Sequence, residues 1–225
     1  MRHLTAATLF CAAVVGILGC SEDNPAPAAT QLSMAPVPSA SGDGQLGEAG
    51  AELDQSIRVR VLEDGLPAVG LEVNWAASAG AGVVAPAIDI TDANGIAEAG
   101  WTLATTIGPM TATASLTDAA GSPVTFHATA KSGPATVFLI QTGNNQLVKV
   151  GTTAGEPLGV GLQDQYGNPV PVTVVIWEVM SGAATLSAGT GYVDLTAGLT
   201  PGPVVVRATP AQNLPSVNFT LTIVP

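Results

Sequence analysis

The chain has 225 residues with 6 basic and 17 acidic side chains, a formal charge of −11, and is 47% hydrophobic but only 4% aromatic. So acidic a surface repels nucleic acid and anionic headgroups, which argues against a polyanion partner. The length suits two sandwich domains of roughly 100 residues each, and 26 glycines and 17 prolines interrupt it too often for long helices.

At the start, Arg2 supplies a positive charge, residues 4–18 an apolar run, and Ile17-Leu18-Gly19-Cys20 its close. That run, about 15 residues, is too short to cross a bilayer core of roughly 30 Å and has the layout of a cleaved signal. The closing four residues resemble a bacterial lipobox. The resemblance implies cleavage after Gly19, a diacylglyceryl group on the Cys20 thiol and acylation of the new amino terminus. Several acyl chains make a lasting anchor where one binds reversibly. Serine at position 21, rather than aspartate, fits outer-membrane sorting, so the expected location is the bacterial cell envelope, as a surface-exposed outer-membrane lipoprotein. Residues 1–19 are thus expected to be the signal peptide and 20–29, Pro/Ala-rich and acidic, an acylated tether.

Cleavage leaves 206 residues with 5 basic and 17 acidic side chains, a charge of −12. Cys11 departs with the signal and Cys20 is lipidated, so no disulfide is expected despite an oxidising compartment. No later apolar stretch approaches 18 residues uninterrupted, so no membrane span is expected after the signal.

Beyond the tether the chain repeats itself. Pro27-Ala28-Ala29-Thr30-Gln31-Leu32 is echoed by Gly133-Pro134-Ala135-Thr136-Val137-Phe138. Ile57, Val59 and Val61 alternate with polar neighbours, and an offset of 101 places Leu158, Val160 and Leu162 at the same inward positions, the period of a half-buried strand. The offset then becomes 102, matching Pro67 with Pro169 and Trp75 with Trp177, so one residue is inserted where Glu63-Asp64-Gly65-Leu66-Pro67 faces Asp164-Gln165-Tyr166-Gly167-Asn168-Pro169. Turns tolerate such insertions. Later, Gly108-Pro109-Met110-Thr111-Ala112-Thr113-Ala114 matches Gly202-Pro203-Val204-Val205-Val206-Arg207-Ala208, and each final strand carries an inward aromatic, Phe126 or Phe219. Short strands between turn signals predict an all-β fold of two antiparallel sandwiches, 30–132 and 133–225.

The series Asp64-Gly65-Leu66-Pro67-Ala68-Val69-Gly70, Val73-Asn74-Trp75, Thr91-Asp92-Ala93-Asn94-Gly95-Ile96-Ala97, Trp101-Thr102-Leu103 and Thr111-Ala112-Thr113-Ala114 resembles bacterial Ig-like domain group one, the invasin/intimin type. The second unit keeps Asp164-Gln165-Tyr166-Gly167-Asn168-Pro169-Val170 but has no counterpart of Thr91-Asp92-Ala93-Asn94-Gly95, its middle being about eight residues shorter. The resemblance implies tandem Ig-like Greek-key sandwiches of a cell-surface protein, with adhesion as an inherited possibility.

Chemistry-bearing residues are few. Trp75, Trp101 and Trp177 fall at inward strand positions and are read as core. Asp89, Asp92 and Asn94 beside Gly95 have the oxygen chemistry of a calcium loop without EF-hand spacing, and Asn94-Gly95 reads as a type I′ hairpin turn. His127 is the one histidine left after cleavage and alternates with Phe126, facing solvent. With no Ser/His/Asp or metal-ligand cluster, general acid–base and nucleophilic chemistry lack a set of groups, and Glu63 with Asp64 reads as solvated turn acids. No enzyme activity, cofactor or metal is expected. Asn218-Phe219-Thr220 matches a glycosylation sequon inside a predicted strand, an accidental match. Charge is uneven: −8 over residues 32–133 against −2 over residues 134–225. The expected role is a non-catalytic binding or adhesion module whose less charged second unit contacts a surface protein or glycan; the alternative is a structural spacer with no ligand of its own.

Overall fold

A computed structural model describes residues 30–225, and every regular element among them is a β-strand. The signal peptide, the lipobox with Cys20 and the tether lie outside the described residues. Among the described residues no helix is long and apolar enough to cross a membrane.

The first half contains β1 (Leu32–Pro36), β2 (Gln45–Glu48), β3 (Ile57–Glu63), β4 (Leu66–Pro67), β5 (Glu72–Ala77) and β6 (Val83–Ala85). It continues with β7 (Ile88–Ile90), β8 (Ile96–Thr102), β9 (Gly108–Ser115), β10 (Ala119–Ala120) and β11 (Val124–Lys131). One sheet is ordered β10-β1-β3-β8-β6, with β4 against β3; the other is β2-β11-β9-β5-β7. The second half holds β12 (Val137–Thr142), β13 (Leu147–Lys149), β14 (Leu158–Gln163), β15 (Pro169–Val170) and β16 (Val175–Ser181). After them come β17 (Ala184–Leu186), β18 (Tyr192–Val193), β19 (Leu195–Ala197), β20 (Gly202–Pro210) and β21 (Val217–Val224). Its sheets are β12-β14-β15 with β18 against β14, β13-β21-β20-β16, and the pair β17-β19. The fold is two tandem β-sandwiches.

Period-two alternation makes these strands and fills the layer between sheets. Ile57, Val59 and Val61 are completely buried on β3, as are Leu158, Val160 and Leu162 to within 2% on β14. In each sandwich a tryptophan tilts onto the phenylalanine of the last strand: Trp75 on Phe126 at 5.9 Å between centroids, Trp177 on Phe219 at 5.5 Å, within the range of favourable aromatic pairs. Trp101, fully buried, donates its indole N–H to the Ala81 carbonyl at 2.8 Å. Matching bridges, Glu52 with Thr102 and Thr153 with Thr196, put Leu195, also fully buried, in the place of Trp101, an offset of 94.

The sheets are not wholly antiparallel as the sequence suggested: β1–β10, β2–β11 and β13–β21 run parallel. For β2–β11 and β13–β21 the reason is a crossing early in each half. Gly42 (φ 73°) and Gly143 (φ 82°) turn the chain from one sheet to the other, where a Cβ would collide with the Ser56 and Pro157 carbonyl oxygens, so a single leading segment supplies a strand to both sheets. A glutamine holds each crossing. Gln45 Nε2 donates to the Gly42 and Gln55 carbonyls while its Oε1 accepts the Gln55 N–H; Gln146 does the same with Gly143 and Glu156.

Candidate functional site

The turn 92–96 is tied by its own backbone. Asp92 Oδ1 accepts the N–H groups of Asn94 and Ile96, both at 2.8 Å, and Asp89 Oδ2 accepts the Glu98 N–H at 2.8 Å. The Asp92 carboxyl lies below its ordinary pKa because the Ile96 and then the Asn94 backbone N–H groups favour its charged form,. Carboxylate lone pairs that hold peptide groups are engaged in shaping the loop. Among the described residues, no three or more His, Cys, Asp or Glu side chains are grouped to hold a metal ion.

The type I′ expectation for Asn94-Gly95 is corrected. Gly95 has φ 71°, but Asn94 is not in the positive-φ region, and both are required for I′. Gly95 N–H closes onto the Asp92 carbonyl at 2.9 Å, and the flanking strands β7 and β8 belong to different sheets, so this is a corner between layers. The I′ pattern falls instead at Asp64-Gly65, φ 51° and 84°, where Glu63 pairs with Leu66.

The tryptophans differ in exposure. Trp75 and Trp101 are 4% and 0% exposed, whereas Trp177 is half-buried at the side of its sandwich, donating its indole N–H to the Thr190 carbonyl at 3.0 Å. His127 is exposed, with Nδ1 3.4 Å from Asp43 Oδ1.

Sequence reasoning missed a polar joint between the sandwiches. In the inserted turn of the second half, the Asp164 carboxylate accepts N–H bonds from Gly133, Tyr166 and Asn168 and from the Asn168 side chain, at 2.9–3.1 Å. Asn168 Nδ2 also donates to the Thr105 carbonyl of the first sandwich at 2.8 Å, and Gly50 stands against the Tyr166 ring, leaving no room for a Cβ. Burial raises the Asp164 pKa, but the bonds from Asn168, Gly133 and Tyr166 outweigh it, and the net displacement is downward,. The one-residue insertion between offsets 101 and 102 was the available signal.

Exposed apolar side chains occur on both sandwiches, Val83, Ile88 and Ile90 on the first among them. Val174, Ile176 and Met180 lie along β16 or just before it, and Leu199, in the β19–β20 loop, is 84% exposed. Tyr192, also exposed, bonds through its hydroxyl to Gln141 Oε1 at 2.8 Å.

No protein-family model matches the chain, and no curated protein matches it. Among solved structures it is similar to the FdeC adhesin of Escherichia coli, with 18% identity and a TM-score of 0.46 over 87% of this chain and 64% of that one. It is similar to the D00-D0 domain of intimin, with 18% identity and a TM-score of 0.42 over 86% of this chain and 100% of that one. Domains 4 and 5 of the S-layer protein SbsC give 16% identity and a TM-score of 0.37 over 87% and 98%. The chain spans about 64% of the FdeC structure.

Proposed function

We propose that this chain is a lipid-anchored protein of the bacterial envelope whose sandwiches form a non-catalytic binding or adhesion module, with a surface protein or glycan as partner. The observation that carries the reading is the exposed aliphatic pair Val174 and Ile176 along the edge strand β16 of the second sandwich, on the half whose charge is only −2. Apolar side chains gathered on a surface mark contact sites more often than scattered single ones do. Acyl chains on Cys20 supply the anchor, and the sandwiches need no lipid to bury their apolar sets.

The direct test is a pull-down from native envelope with the lipid-free fragment 21–225 as bait: specific retention of a surface protein or glycan is expected, and retention of nothing favours a spacer. The spacer alternative draws on the joint, where the Asn168 side chain, held by Asp164, bonds across to the Thr105 carbonyl of the first sandwich. Cys20→Ser tests the anchor separately. The variant should lose acylation and leave the washed membrane pellet while keeping its β-rich spectrum; a variant retained as fully as the unaltered chain would mean another attachment.

A further inference from the structure

In the first sandwich β7 covers the outer side of β5: Glu72 pairs with Ile90, Val73 with Asp89 and Asn74 with Ile88, and the Trp75 N–H donates to the Ala87 carbonyl at 2.8 Å. The second sandwich has no such strand. There β16, the counterpart of β5, ends its sheet and pairs only with β20. No backbone hydrogen bond reaches its outer side among the described residues. The offsets explain why: Ala85 corresponds to Ser187 and Ile96 to Thr190, so the ten residues 86–95 that carry β7 are reduced to two, 188 and 189.

Backbone groups alternate across a strand. Since Trp75 donates outward, its counterpart Trp177, with Val175 and Val179, turns N–H and C=O to the open side. The side chains have changed as well. Glu72 and Asn74, outward on the covered strand, are replaced by Val174 and Ile176, which are 53% and 58% exposed. Natural sheet edges are usually protected by charge, proline or a bulge. This one is more apolar than the covered strand it repeats, and its Glu178 and the bulge between Val179 and Ser181 confine the open stretch to residues 174–178.

We infer that the outer edge of β16 docks an extended segment of another protein, added as an antiparallel strand with aliphatic side chains opposite Val174 and Ile176 and no acid opposite Glu178. The inference rests on the binding reading above and names its surface and the class of its partner. The template for the occupant is β7: three residues suffice on β5, and Ile90 and Ile88 stand opposite the positions that Val174 and Ile176 repeat. Like charges directly opposed are unfavourable across strands, which sets the requirement at Glu178. Main-chain bonds supply affinity in strand addition and the alternating side chains supply specificity.

The experiment titrates the isotope-labelled full chain with the peptide Pro-Ala-Ile-Asp-Ile-Thr, residues 86–91, and with the same peptide N-methylated at its aspartate. The unmodified peptide should slow amide exchange and saturably shift the resonances of Val175 and Trp177, leaving Val73 and Trp75 unmoved. The methylated peptide, short of one donor, should bind about tenfold more weakly. Absence of saturable shifts at Val175 and Trp177, or equal binding of both peptides, overturns the inference. So does concentration-dependent protection of those amides without peptide, which would give the edge to a second copy of the chain. In the envelope pull-down, a Val174→Lys/Ile176→Lys bait that still retains the partner would remove the edge while leaving the binding reading intact. An unaltered bait that retains nothing would remove the binding reading itself, even where the peptide binds.

Discussion

Phe126 and Phe219 are both fully buried and each carries the tilted tryptophan of its own sandwich, so truncating either to alanine should destabilise one half selectively. Removing a buried phenylalanine costs about 3–5 kcal/mol, the figure depending on how far the surroundings collapse. Phe126→Ala belongs at the upper end, because Trp75 above it is sealed at 4% exposure and flanked by β7. Phe219→Ala belongs at the lower end, because the half-buried Trp177 can settle into the space from an open edge. With about 4–8 °C lost per kcal/mol in a domain of this size, even the smaller effect lowers one melting transition by about 12 °C or more. Transmission to the other half is limited by the joint, whose Asn168–Thr105 hydrogen bond is worth about 1 kcal/mol. Scanning calorimetry of the full chain should therefore show one transition displaced and its companion moved by a few degrees at most, with the assignments exchanged between the variants. Equal displacement of both transitions in both variants, or one shared transition throughout, would refute the reasoning and make the joint part of a single cooperative unit.

Two further outcomes follow from the polar sites. Asp164 has a folded pKa below its ordinary 3.8, so its stabilisation is present above that value and lost as pH falls through the folded one. Asp164→Asn should weaken the chain at neutral pH, and the gap to the unaltered protein should narrow as pH falls below about 4, read from denaturant midpoints at pH 7 and pH 3. Calcium at millimolar concentration should leave the first sandwich's melting temperature unchanged, because the Asp89 and Asp92 carboxylates already accept backbone N–H groups; a rise on calcium addition, reversed by Asp92→Ala, would restore the calcium site.

Much of this architecture was legible because a period of two and a preserved offset are local properties. Ile57, Val59 and Val61 declare an inward face without reference to any other strand, and Leu158, Val160 and Leu162 repeat it 101 residues later. The parallel pairs were not legible, since β2 and β11 are 76 or more residues apart and nothing in either strand states the direction of its neighbour. The Asn94-Gly95 reading failed for a related reason: the dipeptide reports a tight turn, but whether the flanking strands pair or diverge into separate sheets is decided by β5 and β3, which claim β7 and β8 respectively. The glutamine clamps were present at the same offset, Gln45 and Gln146. As isolated polar residues in irregular segments they carry no periodic signal. The joint needs two surfaces at once, and a single insertion beside Asp164 says only that something at that turn differs.

Internal duplication makes the first sandwich a physical control for the second. Both halves keep the inward aliphatics, the tilted Trp–Phe pair and the glutamine-held crossing, so these features answer to folding alone. What separates the halves is the loss of residues 86–95 from the pattern, the less protected Trp177, and the change from Glu72 and Asn74 to Val174 and Ile176. An apolar edge left open invites pairing with other chains, and β7, with Ile88 and Ile90 exposed, ends its sheet in the first sandwich as β16 does in the second. Charge on β16, as on β5, would have kept the same core at no cost in packing, because the side chains concerned point away from it. The change from Glu72 and Asn74 to Val174 and Ile176 is what the proposed strand addition at β16 would account for, on the sandwich that carries little net charge of its own.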